Sequence, residues 1–382
     1  MKENMKETVK KLIVLLLIIV MASSLFVGCT NDTKTETKKE TQKETQDRGS
    51  DSETRVVVDA TGAEVTVPAH PKKIAIGNLV LPNMVYALQK RADNIASIPP
   101  SAYSNWEVSI LKDLAPELKD VDTTMVGDDF SMNAEALAAA GVDLAINWED
   151  QTDSATQLKG LGIPVVLVNY AKNLDDLKRL ITTLGDALNC KEQADKILSW
   201  YNEKEDTINS KSEQIKNLKD EEKPRVLQFQ RVEKLQIYSG GMNPFIIDWV
   251  GGKNIEVEAG SADNINMETL LTYDPEIIFI SNFDKVTPDD FYNNKLEGQD
   301  WSNVSAVKNH KVFKVPCGLY RWAPPNSIEK PLYVLWAASH IQPEIFSDIN
   351  MEDEIKSFFK GFFDYDLTKE QLDNVLHTDL NK

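Results

Sequence analysis

Lys191-Glu-Gln-Ala-Asp-Lys-Ile-Leu-Ser-Trp-Tyr-Asn-Glu-Lys-Glu-Asp-Thr-Ile-Asn-Ser-Lys-Ser-Glu-Gln-Ile-Lys-Asn-Leu-Lys-Asp220 contains neither Pro nor Gly. Its apolar side chains fall at Ala194, Ile197, Leu198, Tyr201, Ile208, Ile215 and Leu218. Those spacings lie on one helical face. They predict a single long helix of about 40 Å. On both sides of it, short β-type runs alternate with helical stretches. Before it come Lys73–Gly77, Asn94–Pro99, Asp143–Asn147 and Pro164–Asn169; after it come Pro224–Phe229, Pro275–Ile280 and Lys311–Pro316. Alternation of this kind argues for parallel sheets covered by helices. Val56–Pro68, with Gly62 at its centre, reads as a small hairpin. The expected fold is therefore α/β: two doubly wound lobes, 55–190 and 221–382, joined by one helix over 191–220, the alternative being a helix folded back within one lobe.

The chain has 382 residues, 42% hydrophobic and 27% charged, with a formal charge of −18. That composition fits a globular chain of two to three domains and excludes a collagen-like or wholly disordered one. Its acidity argues against a nucleic-acid partner. Three Cys and four His exclude a disulfide scaffold and disfavour a metal cage. His70, His310, His340 and His377 show no ligand-like spacing, so no bound metal or other cofactor is expected. His70 reads as a solvated loop residue, and Cys190 and Cys317 as small buried side chains.

The N-terminus reads as an address. Four Lys and two Glu precede Leu12–Ala22, an uninterrupted apolar run of eleven. Such a run is short for a bilayer span and fits a signal-peptide core. It leads to Leu25-Phe26-Val27-Gly28-Cys29, which resembles the lipobox of bacterial lipoproteins, with Phe26 where Leu usually stands. Residues 1–28 are thus expected to be a signal peptide, with Cys29 lipidated. Residues 29–54 then form a polar tether with nothing to place in a core. Removing residues 1–28 leaves a charge of −20, so the lipid rather than the protein surface must hold the body at an anionic membrane.

Four blocks in order carry a family resemblance. They are Val57–Ile74, Met132–Glu135 through Val142–Leu144, Gly240–Asn254, and Gly318-Leu-Tyr-Arg-Trp-Ala-Pro-Pro325. Over roughly 56–376 the chain resembles the class III substrate-binding proteins of ABC importers, the branch handling iron–siderophore, haem and cobalamin. The resemblance implies a monomeric extracytoplasmic lipoprotein, not an enzyme. It would capture a metal chelate between its lobes, an iron–siderophore complex foremost, and deliver it to a membrane permease. It also implies one permease-docking Glu per lobe, matching Glu135 and Glu268. Both residues also suit a helix start behind Asn133 and Asn266.

Loops after the strand ends should line the cleft. They nominate Asn78, Tyr103 and Trp148 in the first lobe and Arg231, Tyr320, Arg321 and Trp322 in the second. Trp148 and Trp322 are open to either role, facing a ligand or packing beneath the loops. Arginine is scarce, with seven in the chain, and two of the seven fall on second-lobe loops. Guanidinium forks suit carboxylate, catecholate and oxyanion groups, although a solvated surface role is equally ordinary for Arg. Haem, a cobamide or a molybdate-type oxyanion are alternative cargoes. A surface lipoprotein enzyme is a further alternative, but no Gly-x-Ser-x-Gly, His-Glu-x-x-His or phosphate-binding glycine loop is present. An adhesion or structural lipoprotein with an unused cleft is a third.

Overall fold

The first sheet of the computed structural model pairs β4 (Ile95–Ser97), β3 (Ile74–Ile76), β5 (Leu144–Trp148) and β6 (Val165–Val168), all parallel. The structure describes residues 53–382 except 239, 256–263, 284 and 325. Strands β3, β5 and β6 carry no exposed residue, as a sheet covered on both faces requires. Alternate residues serve opposite faces. Ile74, Ile76, Leu144, Ile146, Val166 and Val168 join one core, whereas Ala75, Ala145, Val165 and Leu167 join another. Ahead of the sheet, β1 (Thr54–Val58) and β2 (Glu64–Pro68) form the expected antiparallel hairpin, turning through Gly62 at φ +84°.

The second sheet is built on β7 (Arg225–Arg231), with β10 (Ile277–Ile280) and then β11 (Val312–Lys314) parallel on one side. The other edge of β7 is shared. Near its end β8 (Gln236–Ile237) runs antiparallel, and near its start β9 (Lys253–Asn254) runs parallel. Here too the faces divide: Val226, Ile277 and Phe279 face the core shared with the first lobe, and Leu227, Phe229, Ile278 and Ile280 face a separate one.

The shared core passes through the connecting helix, Lys191–Asn209. Ala194, Ile197, Tyr201 and Ile208 are buried, as the spacing requires, and Leu198 is half-buried. At 19 residues the helix is about 28 Å long, shorter than expected. It stops at Asn209-Ser210-Lys211-Ser212, where side chains compete with the helical backbone: Ser210 Oγ donates to Thr207 O at 2.7 Å. A short helix, Ser212–Lys216, follows. The connecting helix packs on Leu174–Ala187 of the first lobe and on Lys330–Ile341 of the second. Gly185 permits the first contact, because a Cβ there would lie 2.5 Å from Ala194 Cβ. No helix among the described residues is long and apolar enough to cross a membrane.

Candidate functional site

After β11 the chain makes a tight turn over residues 317–323. Gly318 N–H donates to Tyr320 O at 3.1 Å, and Trp322 N–H to Pro316 O at 3.2 Å. Tyr320 and Trp322 point inward, with no exposure, while Arg321 between them stays partly exposed. The turn sits on the seam between the lobes. Ile110 N–H donates to Gly318 O at 3.2 Å, and Asn105 Nδ2 to Leu319 O at 3.4 Å. From inside the second lobe, the fully buried Glu329 accepts Tyr320 N–H at 2.9 Å. The equally buried Lys330 donates to Trp322 O at 2.7 Å and Ala323 O at 3.1 Å.

Arg321 and Arg231 meet on one aromatic ring. Their guanidinium carbons lie 4.9 and 5.4 Å from the centre of Phe283, within the range of a cation–π contact. Arg231 Nη1 also donates to Phe283 O at 3.1 Å. Tyr238 belongs to the same neighbourhood. Burial and the nearby Tyr320 push its hydroxyl well above the usual tyrosine range, against the pull of Ser281, Arg321 and Arg231. Among the described residues the buried Tyr320 hydroxyl has no hydrogen-bond partner of good geometry, and burial raises its pKa while the neighbouring Arg321 opposes the rise. The buried Ser281 hydroxyl donates to Phe229 O at 2.7 Å and Gln230 O at 2.9 Å. Two cations and two phenols are gathered beyond the carboxyl ends of β7, β10 and β11. Chemically, such a group binds an anion rich in oxygen acceptors.

The residues nominated in the first lobe are differently engaged. Asn78 is buried, and its Oδ1 accepts the N–H groups of Val80 and Leu81, both at 3.1 Å. Trp148 is 3% exposed and stacks on Tyr170 with ring centres 4.3 Å apart. Tyr103 lies against Trp106, and its hydroxyl donates to Lys119 O at 3.3 Å. The structure therefore brings Arg231, Tyr320 and Arg321 together. It places Asn78, Trp148 and Tyr103 in contacts within their own lobe, and Trp322 beneath the turn.

The periplasmic binding protein family matches residues 82–317, more than half of the chain. The chain belongs to that family. A periplasmic solute-binding protein from Veillonella parvula shares 36% identity and a TM-score of 0.80, over 86% of this chain and 98% of its own. The molybdate-binding protein MolA of Haemophilus influenzae is 23% identical, over 81% of this chain and 91% of its own. YvrC of Bacillus subtilis, described as an uncharacterized ABC transporter substrate-binding lipoprotein, is 26% identical over 76% and 86%. As a periplasmic binding protein, the chain is an extracytoplasmic solute carrier that delivers a small ligand to an ABC permease. Members of this family bind and hand over solutes rather than transform them. The fold expected from the sequence, two α/β lobes joined by a long helix, is the one found.

In this periplasmic binding protein Glu135 and Glu268 occupy equivalent places. Each is exposed in the first turn of a helix, Ala134–Ala139 or Met267–Tyr273. Asn133 Oδ1 caps the first at 3.1 Å and Asn266 Oδ1 the second at 2.8 Å. Each helix precedes a parallel strand, β5 or β10, so its N-terminus lies toward the carboxyl ends of the strands. Neither Glu forms an ion pair among the described residues. Cys29 and the tether to residue 52 lie outside the described residues. Among the described residues, no group of three or more acidic, His or Cys side chains is placed to hold a metal. His340 is packed against the rings of Trp336 and Phe313, and burial lowers its pKa against the pull of the Trp336 carbonyl; His377 is pushed down to about 4 by burial, and burial raises the Cys317 thiol to about 12.

Sequence reasoning missed Phe283, Tyr238, Glu329 and Lys330. Phe283 lies three residues past the end of β10, on a strand-end loop of the kind expected to line the cleft. No local pattern marks Glu329-Lys330, since adjacent charges ordinarily face water.

Proposed function

We propose that this protein captures an anionic metal chelate, a ferric siderophore foremost, and passes it to its permease. The observation that carries the reading is the convergence of Arg231 and Arg321 on Phe283, 5.4 and 4.9 Å from its centre, in a chain of charge −18. Local cations in an acidic body create the field an anionic chelate needs. Tyr238 and Tyr320 add hydroxyls suited to catecholate or carboxylate oxygens. In this reading Trp322 supports the turn from beneath, and Asn78, Tyr103 and Trp148 make no contact with the ligand. Glu135 and Glu268 dock the permease, one per lobe. Cys29 carries the lipid, with residues 29–54 as tether, and the protein works as a monomer.

Equilibrium dialysis against a ferric tris-catecholate, a ferric hydroxamate, haem, a cobamide and molybdate tests the cargo. The reading expects stoichiometric retention of a ferric chelate, recovered chemically unchanged. Retention of the cobamide alone contradicts it. The likeness to MolA supports a second reading, an oxyanion cargo, which retention of molybdate alone would select. Reversing the charge of both Glu135 and Glu268 should stop uptake at unchanged affinity; lost affinity would contradict the docking role.

A further inference from the structure

This inference rests on the reading that Arg321 meets the ligand. Glu329 and Lys330 are consecutive and each has 0% exposure. Ionisable side chains at that depth carry a heavy desolvation cost unless they are hydrogen-bonded. Among the described residues no ion pair joins the two. Each instead reaches into the backbone of the same turn. The Glu329 carboxylate holds the Tyr320 N–H at 2.9 Å, on one side of Arg321. The Lys330 ammonium holds the Trp322 and Ala323 carbonyls at 2.7 and 3.1 Å, on the other. A Cβ on Gly318 would come within 1.8 Å of Glu329 Oε1, so only glycine admits the carboxylate there.

The residues that grip the turn are anchored in their turn. The Tyr201 hydroxyl, from the connecting helix, donates to Ile328 O at 2.8 Å and Ser327 O at 3.3 Å. Asn326 Oδ1 accepts Ala171 N–H of the first lobe at 2.9 Å. Burial pushes the Glu329 carboxyl up to about 7, against the N–H groups of Tyr320 and Leu319 and the Trp322 indole, and drives Lys330 well below its ordinary range.

We propose that Glu329 and Lys330 are positioning residues of the binding site, clamping the 317–323 turn so that Arg321 and Tyr320 keep the pose in which they meet an anion. Neither touches the ligand; both set where Arg321 stands. The test compares the wild type with Glu329→Leu, which removes the acceptor, Lys330→Met and Arg321→Ala, by backbone amide exchange across residues 318–323 and by affinity for molybdate and a ferric tris-catecholate. Lys330→Met replaces the buried amine with an apolar chain of similar volume but leaves the Trp322 carbonyl without that donor, so its melting temperature should fall, and exchange and affinity are compared well below it. The clamp predicts at least tenfold faster exchange at Leu319–Trp322 in both clamp variants. It also predicts at least tenfold weaker binding of whichever anion the wild type binds. Unchanged exchange overturns the clamp, and faster exchange with unchanged affinity overturns the positioning role. Unchanged affinity in Arg321→Ala overturns the function reading instead. If neither anion binds the wild type, that reading falls and the exchange alone decides the clamp.

Discussion

At the strand ends of the first lobe, side chains are spent on their own lobe: Asn78 caps Val80 and Leu81, and Trp148 stacks on Tyr170. At those of the second, Arg231 and Arg321 rest on a common ring and keep partial exposure. The topology repeats between the lobes, but the chemistry does not. A parallel sheet presents loops at its carboxyl edge whatever their sequence. What differs is whether those loops find hydrogen bonds locally. The Asn78 carbonyl oxygen and the Trp148 ring find their partners within the first lobe. An Arg on a ring still has donors to offer.

Removing Trp148 is expected to have the largest effect on this contrast. Trp148→Ala should cost about 3–5 kcal/mol, a fall of roughly 4–7 °C in melting temperature, with affinity changed less than about threefold. A loss of affinity at unchanged melting temperature would make Trp148 a ligand residue and erase the difference between the lobes.

Next in size is the titration of Glu329. Its folded pKa, about 7, stands above the ordinary 4.5. The proton is therefore held more tightly in the folded state. The stabilisation it brings is fully present below pH 4.5 and lost as pH rises through 7. Relative to Glu329→Gln, the wild type should lose about 3 kcal/mol over that window. Denaturant melts of both proteins at pH 4.5 and 8 check this. A difference that does not vary with pH would place Glu329 in water rather than beneath the turn.

Smaller in energy, and nearer to function, are the arginines. Arg231→Ala and Arg321→Ala should each weaken anion binding at least tenfold, about 1.4 kcal/mol, with the melting temperature held. Smallest is Tyr103→Phe. The lost bond to Lys119 O is long and partly exposed, so stability should fall by less than about 1 kcal/mol and affinity should stay within twofold. A larger affinity loss would return Tyr103 to the site.

The fold was legible because burial on both faces leaves continuous apolar runs. Lys73–Gly77 became β3 and Pro275–Ile280 became β10, each within two residues. The connecting helix was legible in its buried face but not in its end. The end falls among Thr207, Asn209 and Ser210, weak helix formers, where the ladder tightens to a three-residue bond from Lys211 N–H to Ile208 O, a step that periodicity does not register. The candidate site was legible in charge and not in direction. Scarcity singled out Arg231 and Arg321, and both reach Phe283. Aromatic content nominated Trp148 and Trp322 equally, yet both face inward, because a strand-end ring packs as readily as it binds. Glu329 and Lys330 were invisible for the opposite reason. Composition places such residues outside, and only the backbone groups of the turn they hold explain why they are inside.

The central claim is that recognition resides in the second lobe, on the two arginines. Tryptophan fluorescence, titrated with ferric siderophores, haem, cobamides and molybdate on the wild type and on Arg231→Ala and Arg321→Ala, tests it most directly. The account predicts saturable quenching of the wild type by one anionic member, weakened at least tenfold in both variants with the melting temperature unchanged. Equal affinity in the wild type and both variants, for any cargo, would contradict it.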